Sequence, residues 1–380
     1  MYISLPSSSC LIDREIRFGD VSYRYLLTSG GRSRIGEALS ELKADRFCVV
    51  VDSGVPDWIV KRSVGAFEAV APVVLLRVEA KEGLKSVATL AELADAAVGS
   101  GVTRRSCVVA VGGGLVGNVA GLLASLLFRG IRLVHVPTTL LAASDSTLSL
   151  KQAVNGGSVK NILGSYYAPE LVWADLEVLG ELPAEQVRAA LCETAKNVLA
   201  IVPDRFDDFL RIARREADYT ASELAWIIDL CISAKTQVMS RDPKERGTGL
   251  VLEYGHTVGH GIELESGGAI SHGPAIALGM LVAAEVSKSL GLLSEGDVRK
   301  HWEILSHVGV SCRIPDGISR SALMGRVRLD NKRGYLEPLS GVNMEMVVLQ
   351  TLGRPVMTEG IPLTPVPHEV IEAGIEAVRR

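Results

Sequence analysis

The chain has 380 residues, more than one typical domain requires, which indicates two domains. Hydrophobic residues make up 47% of it and its formal net charge is -4, as in a soluble protein with a large core. Because it has neither a basic stripe nor a polybasic tail, nucleic-acid and membrane-surface binding are disfavoured.

The first half of the chain alternates strand-like and helix-like segments. Strands are predicted at the apolar runs 47–52, 73–78, 107–111 and 131–137. Helices are predicted between them at 56–67 and 84–99. The uncharged stretch 107–128 is long enough to span a bilayer, but glycines interrupt it, so we interpret it as a buried strand, a loop and a buried helix. The alternation predicts a parallel sheet covered on both faces.

The second half is dominated by helical periodicity. From about residue 183, helices are predicted at 184–201, 221–241, 255–265, 275–290 and 296–308. Strand candidates nearly vanish until the short apolar run 347–349. The sequence therefore predicts an α/β fold in which a Rossmann-like, parallel-sheet nucleotide-binding domain, residues 1–179, precedes a mainly α-helical domain, residues 180–380.

The cysteines and the N-terminus are those expected of a cytoplasmic protein. Six cysteines are scattered along the chain without a CxxC pair, which is typical of buried thiols rather than of a disulfide framework. Residues 1–11 lack the basic segment and sustained apolar run of a signal peptide.

A glycine-rich loop follows the strand predicted at 107–111. Residues 112–117 satisfy G-x-G-x-x-G, and glycines there would let backbone amides approach a pyrophosphate at a helix N-terminus. The acid expected about 20 residues further on is missing. Asp52, at the end of an earlier strand, is the alternative contact for a ribose hydroxyl. The pattern favours dinucleotide binding over a tight turn without a ligand.

Three histidines lie close together in the second half: His256, His260 and His272. Catalytic zinc commonly has three protein ligands and one open position. His256 and His272 are good candidates, with Glu193 as an oxygen donor from a separate helix. Spacing alone does not distinguish His256 from His260, and Glu193 is also compatible with a solvated helix charge.

Further polar groups cluster in loops marked by glycine or proline. These groups are Thr138, Thr139, Asp145, Lys151, Lys160, Asn161 and the segment 330–334. Lysines and arginines in such loops suit a phosphorylated substrate, although an exposed surface loop has the same composition.

In combination, the motifs resemble those of the dehydroquinate-synthase-like sugar phosphate cyclases. The matching segments run in order from about residue 52 to residue 332 and include Gly-Gly-Gly-x-x-Gly, His-Val-Pro-Thr-Thr-Leu-Leu-Ala, Glu-x-x-Lys and Gly-His-Thr-x-Gly-His. The resemblance implies a homodimer of two-domain chains that uses NAD and one divalent metal ion, Co²⁺ or Zn²⁺, on a small sugar phosphate.

The resemblance also implies residue roles. The metal ligands would be Glu193, His256 and His272. NAD would lie near Asp52, Glu82, Lys85, Gly113, Gly114, Asn118, Thr138, Thr139 and Lys160. The substrate would contact Asp145, Asn161, Lys196, Lys235, His260, Lys332 and, from the neighbouring subunit, Arg129. The catalytic residues would be Lys151 and Glu253, with Glu253 as the candidate base.

Departures from dehydroquinate synthase bear on the substrate. Asn118 replaces an aspartate, Ser149-Leu150-Lys151 replaces Gly-Gly-Lys, and Glu253 replaces an asparagine three positions before the first histidine. Gly249 replaces an arginine that grips the substrate carboxylate, so we expect a substrate without a carboxylate.

These departures are similar to those in the branch of the family that cyclises D-glucose 6-phosphate for aminoglycoside antibiotics. That branch would oxidise C4 with NAD, eliminate phosphate, reduce C4 again, open the ring and close a carbocycle by an aldol step. The alternatives are a cyclase for sedoheptulose 7-phosphate or for the dehydroquinate precursor, a metal-dependent alcohol dehydrogenase and a non-catalytic homologue.

Overall fold

The computed structural model of the protein describes residues 10–30, 33–156, 159–330, 332, 334–336 and 343–380. Asn331 and Arg333 of the polar loop at 330–334 therefore lie outside the described residues. Contacts within the chain divide it into two compact units. The first holds the described residues up to Leu182 together with Tyr219–Ile232, and the second holds Pro183–Asp218 and the described residues from Ser233 onward.

Among the described residues, the first unit contains nine strands and five of the α-helices. The strands are β1 (Cys10–Phe18), β2 (Val21–Thr28), β3 (Phe47–Asp52), β4 (Val73–Val78), β5 (Cys107–Gly112), β6 (Arg132–Pro137), β7 (Lys151–Gly156), β8 (Val159–Tyr166) and β9 (Leu171–Asp175). The helices are α1 (Ser33–Glu41), α2 (Asp57–Glu68), α3 (Val87–Gly99), α4 (Gly114–Leu126) and α5 (Leu176–Leu179). Seven strands form one sheet in the order β1-β2-β9-β6-β5-β3-β4, while β7 and β8 form a separate antiparallel hairpin.

This sheet is parallel except for the β1–β2 pair. Its central strands are buried on both faces because successive side chains of a strand point to opposite sides. In β3, Val49 and Val51 belong to one hydrophobic cluster, whereas Cys48 and Val50 belong to another. The predicted parallel sheet covered on both faces is thus confirmed.

The register of the central strands brings the nucleotide-loop residues to one edge. Val111 pairs with both Val51 and Val136, and Gly112 pairs with Pro137. Asp52, the glycine loop and Thr138 therefore follow the carboxyl ends of three adjacent strands. That edge is where open α/β sheets bind ligands.

The second unit is mainly helical, as predicted. Its helices are α6 (Ala184–Ala200), α7 (Phe206–Ile212), α9 (His256–Glu265), α10 (His272–Ser289), α11 (Glu295–Val308), α12 (Arg320–Val327) and α13 (His368–Arg379). Helix α8 (Ala221–Met239) begins in the first unit and ends in the second. Four short strands form two small ladders: β10 (Asn343–Met346) with β13 (Thr364–Pro367), and β11 (Leu349–Thr351) with β12 (Arg354–Pro355).

Helices α9 and α10 approach each other closely at glycines. Gly255 precedes α9 with a positive φ of 81°, and a Cβ there would lie 2.6 Å from Cγ of Met280 on α10. At Gly259 a Cβ would lie 3.0 Å from the carbonyl oxygen of Ala275. Only glycine allows these contacts without displacing the backbone. The close packing sets the positions of α9 and α10, which begin at His256 and His272 respectively.

Several predicted boundaries are corrected by the structure. The helix predicted at 84–99 begins at Val87, because the Ser86 hydroxyl caps it by accepting a hydrogen bond from Thr89 N at 3.2 Å. The strand predicted at 347–349 is displaced: Leu349 begins β11, whereas Val347 and Val348 form a buried link between β10 and β11. A short apolar run does not distinguish a strand from a buried connection. The β1–β2 and β7–β8 hairpins were not predicted.

Within the described residues, every helix is too short or too polar to cross a membrane. The uncharged stretch 107–128 forms β5, the glycine turn, α4 and the start of a further turn. Cys48, Cys107, Cys192 and Cys231 are buried thiols.

Candidate active-site residues

Glu193, His256 and His272 come together in the second unit. Each offers a ligand atom within 4.8 Å of the other two. Glu193 lies on α6, and its Oε1 is 3.8 Å from Nε2 of His256 and 3.5 Å from Nε2 of His272. This oxygen is buried and has no hydrogen-bond partner among the described residues. A buried carboxylate oxygen facing two imidazole nitrogens fits a divalent cation.

A backbone carbonyl determines which nitrogen of His256 faces Glu193. Nδ1 of His256 lies 3.2 Å from the carbonyl oxygen of Tyr254. Because a carbonyl only accepts hydrogen bonds, Nδ1 carries the proton and the lone pair is on Nε2. The phenol of Tyr254 is buried and donates to Nε2 of His301 at 2.9 Å. Burial lowers the pKa of His301 to about 4, so this ring is neutral. Its Nδ1 lies 2.8 Å from the carbonyl oxygen of Asp297 and carries the proton, which leaves Nε2 as the acceptor.

Neighbouring charges shift the pKa values of all three residues. Burial would raise the pKa of Glu193, but the Lys196 ammonium, 2.5 Å from Oε2, and the neighbouring imidazoles lower it well below its usual value. Burial lowers the pKa of His256, and the charge of Lys196 lowers it further. Burial also lowers the pKa of His272, but the carboxylates of Glu193 and Glu263 outweigh it and raise that pKa above its usual value. Glu193 is therefore ionised and ready to bind a cation.

A second group of residues links Glu253 to His260. Glu253 ends a 3₁₀ turn, and its Oε2 lies 3.2 Å from the buried ammonium of Lys332. Lys332 also donates to Asp330 at 2.9 Å, and the other oxygen of Asp330 lies 3.7 Å from Nδ1 of His260. Burial would lower the pKa of Lys332, but Glu253 and Asp330 raise it. The sequence did not single out Asp330, whose only signal was its place in a polar loop.

Gly249 has a structural reason to lack a side chain. Its backbone N–H donates to Oδ2 of Asp242 at 2.9 Å, beside a 2.7 Å bond from Gly247 to the same oxygen. A Cβ at position 249 would lie 2.8 Å from that oxygen. The carboxylate of Asp242 thus occupies the space next to position 249.

Lys196 and Lys235 are both buried, on α6 and α8 respectively. In the first unit, Arg129 is exposed in a turn where its φ is 70°. Asp145 lies in a π-helical turn, Ala142–Ser146. Tyr25 donates to the carbonyl of Ala143 in this turn at 2.8 Å.

The glycine loop forms the N-terminus of α4. Gly113 is the N-cap residue, and a Cβ there would lie 3.3 Å from the methyl group of Thr139. Thr138 donates its N–H to the carbonyl of Gly112 at 3.0 Å. A small pocket lies over this loop, lined in part by Gly114, His135 and Ser146. The crowding explains the run of glycines, and the helix N-terminus favours an anion.

Asn118 and Asp52 bind the protein's own backbone. Asn118 donates to the carbonyl of Gly114 at 2.8 Å and accepts from the N–H of Ala153 on β7 at 3.1 Å. An aspartate could not make the first bond, which gives the asparagine a structural reason. Oδ1 of Asp52 accepts from the N–H groups of Gly54 at 2.9 Å and Ala80 at 3.3 Å.

Four predicted residues meet around Asn155, which the sequence did not single out. The Asn155 amide donates to Oε1 of Glu82 at 2.8 Å and accepts from the N–H of Asn161 at 2.9 Å. Lys85 donates to the side chain of Asn161, and Nζ of Lys160 lies 3.9 Å from Glu82. Asn161 has a positive φ of 55°, a strained value for a residue with a side chain. Lys151 begins β7, the strand that carries Asn155.

Sequence comparisons find relatives along nearly the whole chain. Family models described as the 3-dehydroquinate synthase N-terminal and C-terminal regions match residues 75–189 and 184–333. A 2-deoxy-scyllo-inosose synthase of Streptoalloteichus tenebrarius is 45% identical over 364 residues, which cover 94% of this chain and 92% of the relative. One of Streptomyces kanamyceticus is 44% identical over 95% of this chain and 93% of its own length.

Solved structures also match nearly the whole chain. A 2-deoxy-scyllo-inosose synthase complexed with carbaglucose-6-phosphate, NAD⁺ and Co²⁺ superposes with a TM-score of 0.90 at 39% identity, covering 96% of this chain and 99% of that one. A 2-epi-5-epi-valiolone synthase from Streptomyces hygroscopicus subsp. jinggangensis 5008 with NAD⁺ and Zn²⁺ bound has a TM-score of 0.81 at 22% identity, over 94% and 97% of the two chains. Because the sequence identity is only 22%, the second match shows that the two proteins share a fold and no more.

Proposed function

The chain belongs to the 2-deoxy-scyllo-inosose synthases of the 3-dehydroquinate synthase family, and on this basis we propose how its residues carry out the reaction. The enzyme converts D-glucose 6-phosphate to 2-deoxy-scyllo-inosose and phosphate. The observation that carries the proposal is the buried Glu193 oxygen that faces Nε2 of both His256 and His272. We further propose that the product enters the biosynthesis of 2-deoxystreptamine aminoglycosides.

The residues present fit both cofactors. Two imidazoles and a carboxylate, one of whose oxygens is buried without a hydrogen bond, suit Co²⁺ or Zn²⁺. The open amides at the start of α4 suit a pyrophosphate. When bound, the metal supplies Lewis acidity at the C4 oxygen and NAD supplies a reversible hydride acceptor. We assign NAD to residues 1–179, and the metal and most of the sugar contacts to residues 180–380.

The NAD contacts proposed from the family are the residues at the sheet edge and around Asn155. They are Asp52, Glu82, Lys85, Gly113, Gly114, Asn118, Thr138, Thr139 and Lys160. The side chains of Asn118 and Asp52 hold backbone groups, so we propose that both act mainly by shaping the pocket.

Glu253 is the proposed base. A ketone at C4 acidifies the proton on C5, and a carboxylate beside the histidine cluster is placed to remove it. The ammonium of Lys332, 3.2 Å away, orients that carboxylate. Asp330 holds Lys332 from the other side at 2.9 Å.

The cationic and polar groups bind the substrate. Lys151, Asn161, His260 and Lys332 are proposed to bind the phosphate and assist its departure. Lys196, Lys235 and Asp145 orient the sugar hydroxyls. Gly249 leaves position 249 without a cationic side chain, which agrees with a substrate that has no carboxylate.

A direct assay separates this function from its rivals. With D-glucose 6-phosphate, catalytic NAD and Co²⁺, we expect stoichiometric phosphate release and a six-carbon cyclic ketone, without net NADH. An alcohol dehydrogenase would instead accumulate NADH as product forms. Phosphate release from sedoheptulose 7-phosphate, with none from glucose 6-phosphate, would contradict the assigned substrate.

We also propose a cytoplasmic homodimer. Leu126, Ile162 and Leu163 are 60%, 59% and 45% exposed. Their segments are joined by a 2.9 Å hydrogen bond between Ser165 and Ser125. We propose that these exposed apolar side chains contribute to the contact surface between the subunits. Arg129, in the turn that follows α4, would then reach the phosphate of the neighbouring subunit.

Charge on this surface is expected to separate the subunits. The double variant Leu126→Lys and Ile162→Lys should sediment as a monomer and lose activity, because burying two lysines opposes association. Leu75→Lys, at an exposed position on β4, is the control and should remain dimeric. A double variant that sediments like the wild type would exclude this surface as the interface.

A further inference from the structure

Glu263 lies beside the proposed metal ligands without being one of them. It is on α9, two helical turns after His256, and its side chain is 18% exposed. Oε2 of Glu263 lies 3.2 Å from Nδ1 of His272. Nε2 of the same ring faces Glu193. The two carboxylates thus contact the two different nitrogens of one imidazole.

This contact determines the tautomer of His272 for metal binding. With a metal ion at Nε2, the remaining ring proton would stay on Nδ1, where the carboxylate of Glu263 accepts it. His256 adopts the same tautomer, but its Nδ1 donates to the neutral carbonyl of Tyr254. The two histidines are therefore oriented by acceptors of different charge.

The charged acceptor has a chemical consequence. A carboxylate behind a ligating imidazole fixes the ring orientation and makes the opposite nitrogen more basic. His272 is the first residue of α10, and its side chain is 36% exposed, whereas that of His256 is only 10% exposed. The ring of His272 is less confined by packing than that of His256. It consequently depends more on a hydrogen bond for its orientation.

We propose that Glu263 is a positioning residue of the metal site, which orients His272 and strengthens its Nε2 as a ligand. This inference rests on the proposed function, because it takes His272 to be a metal ligand. Glu265, two residues further along the same helix, provides the contrast. Its carboxylate pairs with Arg326 at 2.6 Å and so takes no part in the cluster.

Metal affinity, measured apart from turnover, tests the role. Purified metal-free protein is titrated with Co²⁺ in competition with a chelator, and the visible absorption of the bound ion is recorded. Glu263→Ala should weaken Co²⁺ binding by roughly 10–100-fold and alter the absorption spectrum. Glu263→Gln retains an acceptor without the charge, so its affinity should lie between those of the wild type and Glu263→Ala. Glu265→Ala should bind Co²⁺ like the wild type.

The outcomes are distinguishable. A Co²⁺ affinity of Glu263→Ala within twofold of the wild type, with an unchanged spectrum, would overturn the proposal. The thermal midpoints of the metal-free variants show whether they are folded. If Glu263→Ala is not folded, the isosteric Glu263→Gln is used instead. A reduced Co²⁺ affinity of that variant supports the proposal, and an unchanged affinity overturns it. Failure of the wild type to bind Co²⁺ would instead count against the proposed function.

Discussion

Replacing Glu253 by glutamine is expected to slow carbocycle formation by roughly 10²–10⁴-fold while NAD binding is unchanged. The amide has nearly the same shape but cannot accept the C5 proton. Oxidation at C4 precedes that step and does not need the base. On mixing the variant with glucose 6-phosphate, NADH absorbance should therefore appear and persist instead of returning to its starting value.

The structure indicates that this variant keeps its fold. Lys332 loses one anionic partner but retains Asp330 at 2.9 Å. Glu303→Gln, at an exposed position on α11, serves as the matched control and should turn over normally. Turnover of Glu253→Gln near the wild-type rate would show that another group removes the proton.

Substituting His256 or His272 by alanine is expected to remove the bound metal and abolish activity. Each change deletes one of three ligands, and a two-ligand site does not retain a divalent ion through dialysis against a chelator. Elemental analysis should fall from about one metal ion per chain to near zero. NAD binding should persist, because the proposed NAD contacts lie in the first unit.

The histidines are better targets than Glu193. Removing the Glu193 carboxylate would also delete its 2.5 Å buried ion pair with Lys196, which is expected to destabilise the fold itself. The exposed His307 on α11 supplies the control, and His307→Ala should keep its metal. Full metal occupancy in either His256→Ala or His272→Ala would refute that ligand assignment.

The sequence predicted those features that depend on neighbours along the chain. A β-branched run followed by glycines indicates a strand that turns into a helix, and β5 and α4 are found there. Helical periodicity also depends on neighbours along the chain, and it predicted the helices of the second unit. The boundaries were predicted less accurately, because a cap such as Ser86 or a buried link such as Val347–Val348 depends on local geometry that periodicity does not detect.

Tertiary structure decided the arrangement of the site. Spacing placed His256 and His260 on one face of a helix without distinguishing them. Packing turns Nε2 of His256 toward Glu193 and places His260 near Asp330. The difference arises from the carbonyl of Tyr254 and from the position of α6, neither of which is encoded in the histidine spacing.

By itself, the sequence determined the family, the succession of an α/β region and a helical region, and the residue types available for chemistry, because these depend on local pattern and motif. Only the tertiary structure revealed Asn155, Asp330 and Glu263, which orient other side chains. Asn155 contacts Glu82 across 73 residues, and the group at Asp330 and Lys332 reaches back to Glu253. Contacts over such separations are determined by how whole helices and strands pack, so no local sequence pattern predicts them.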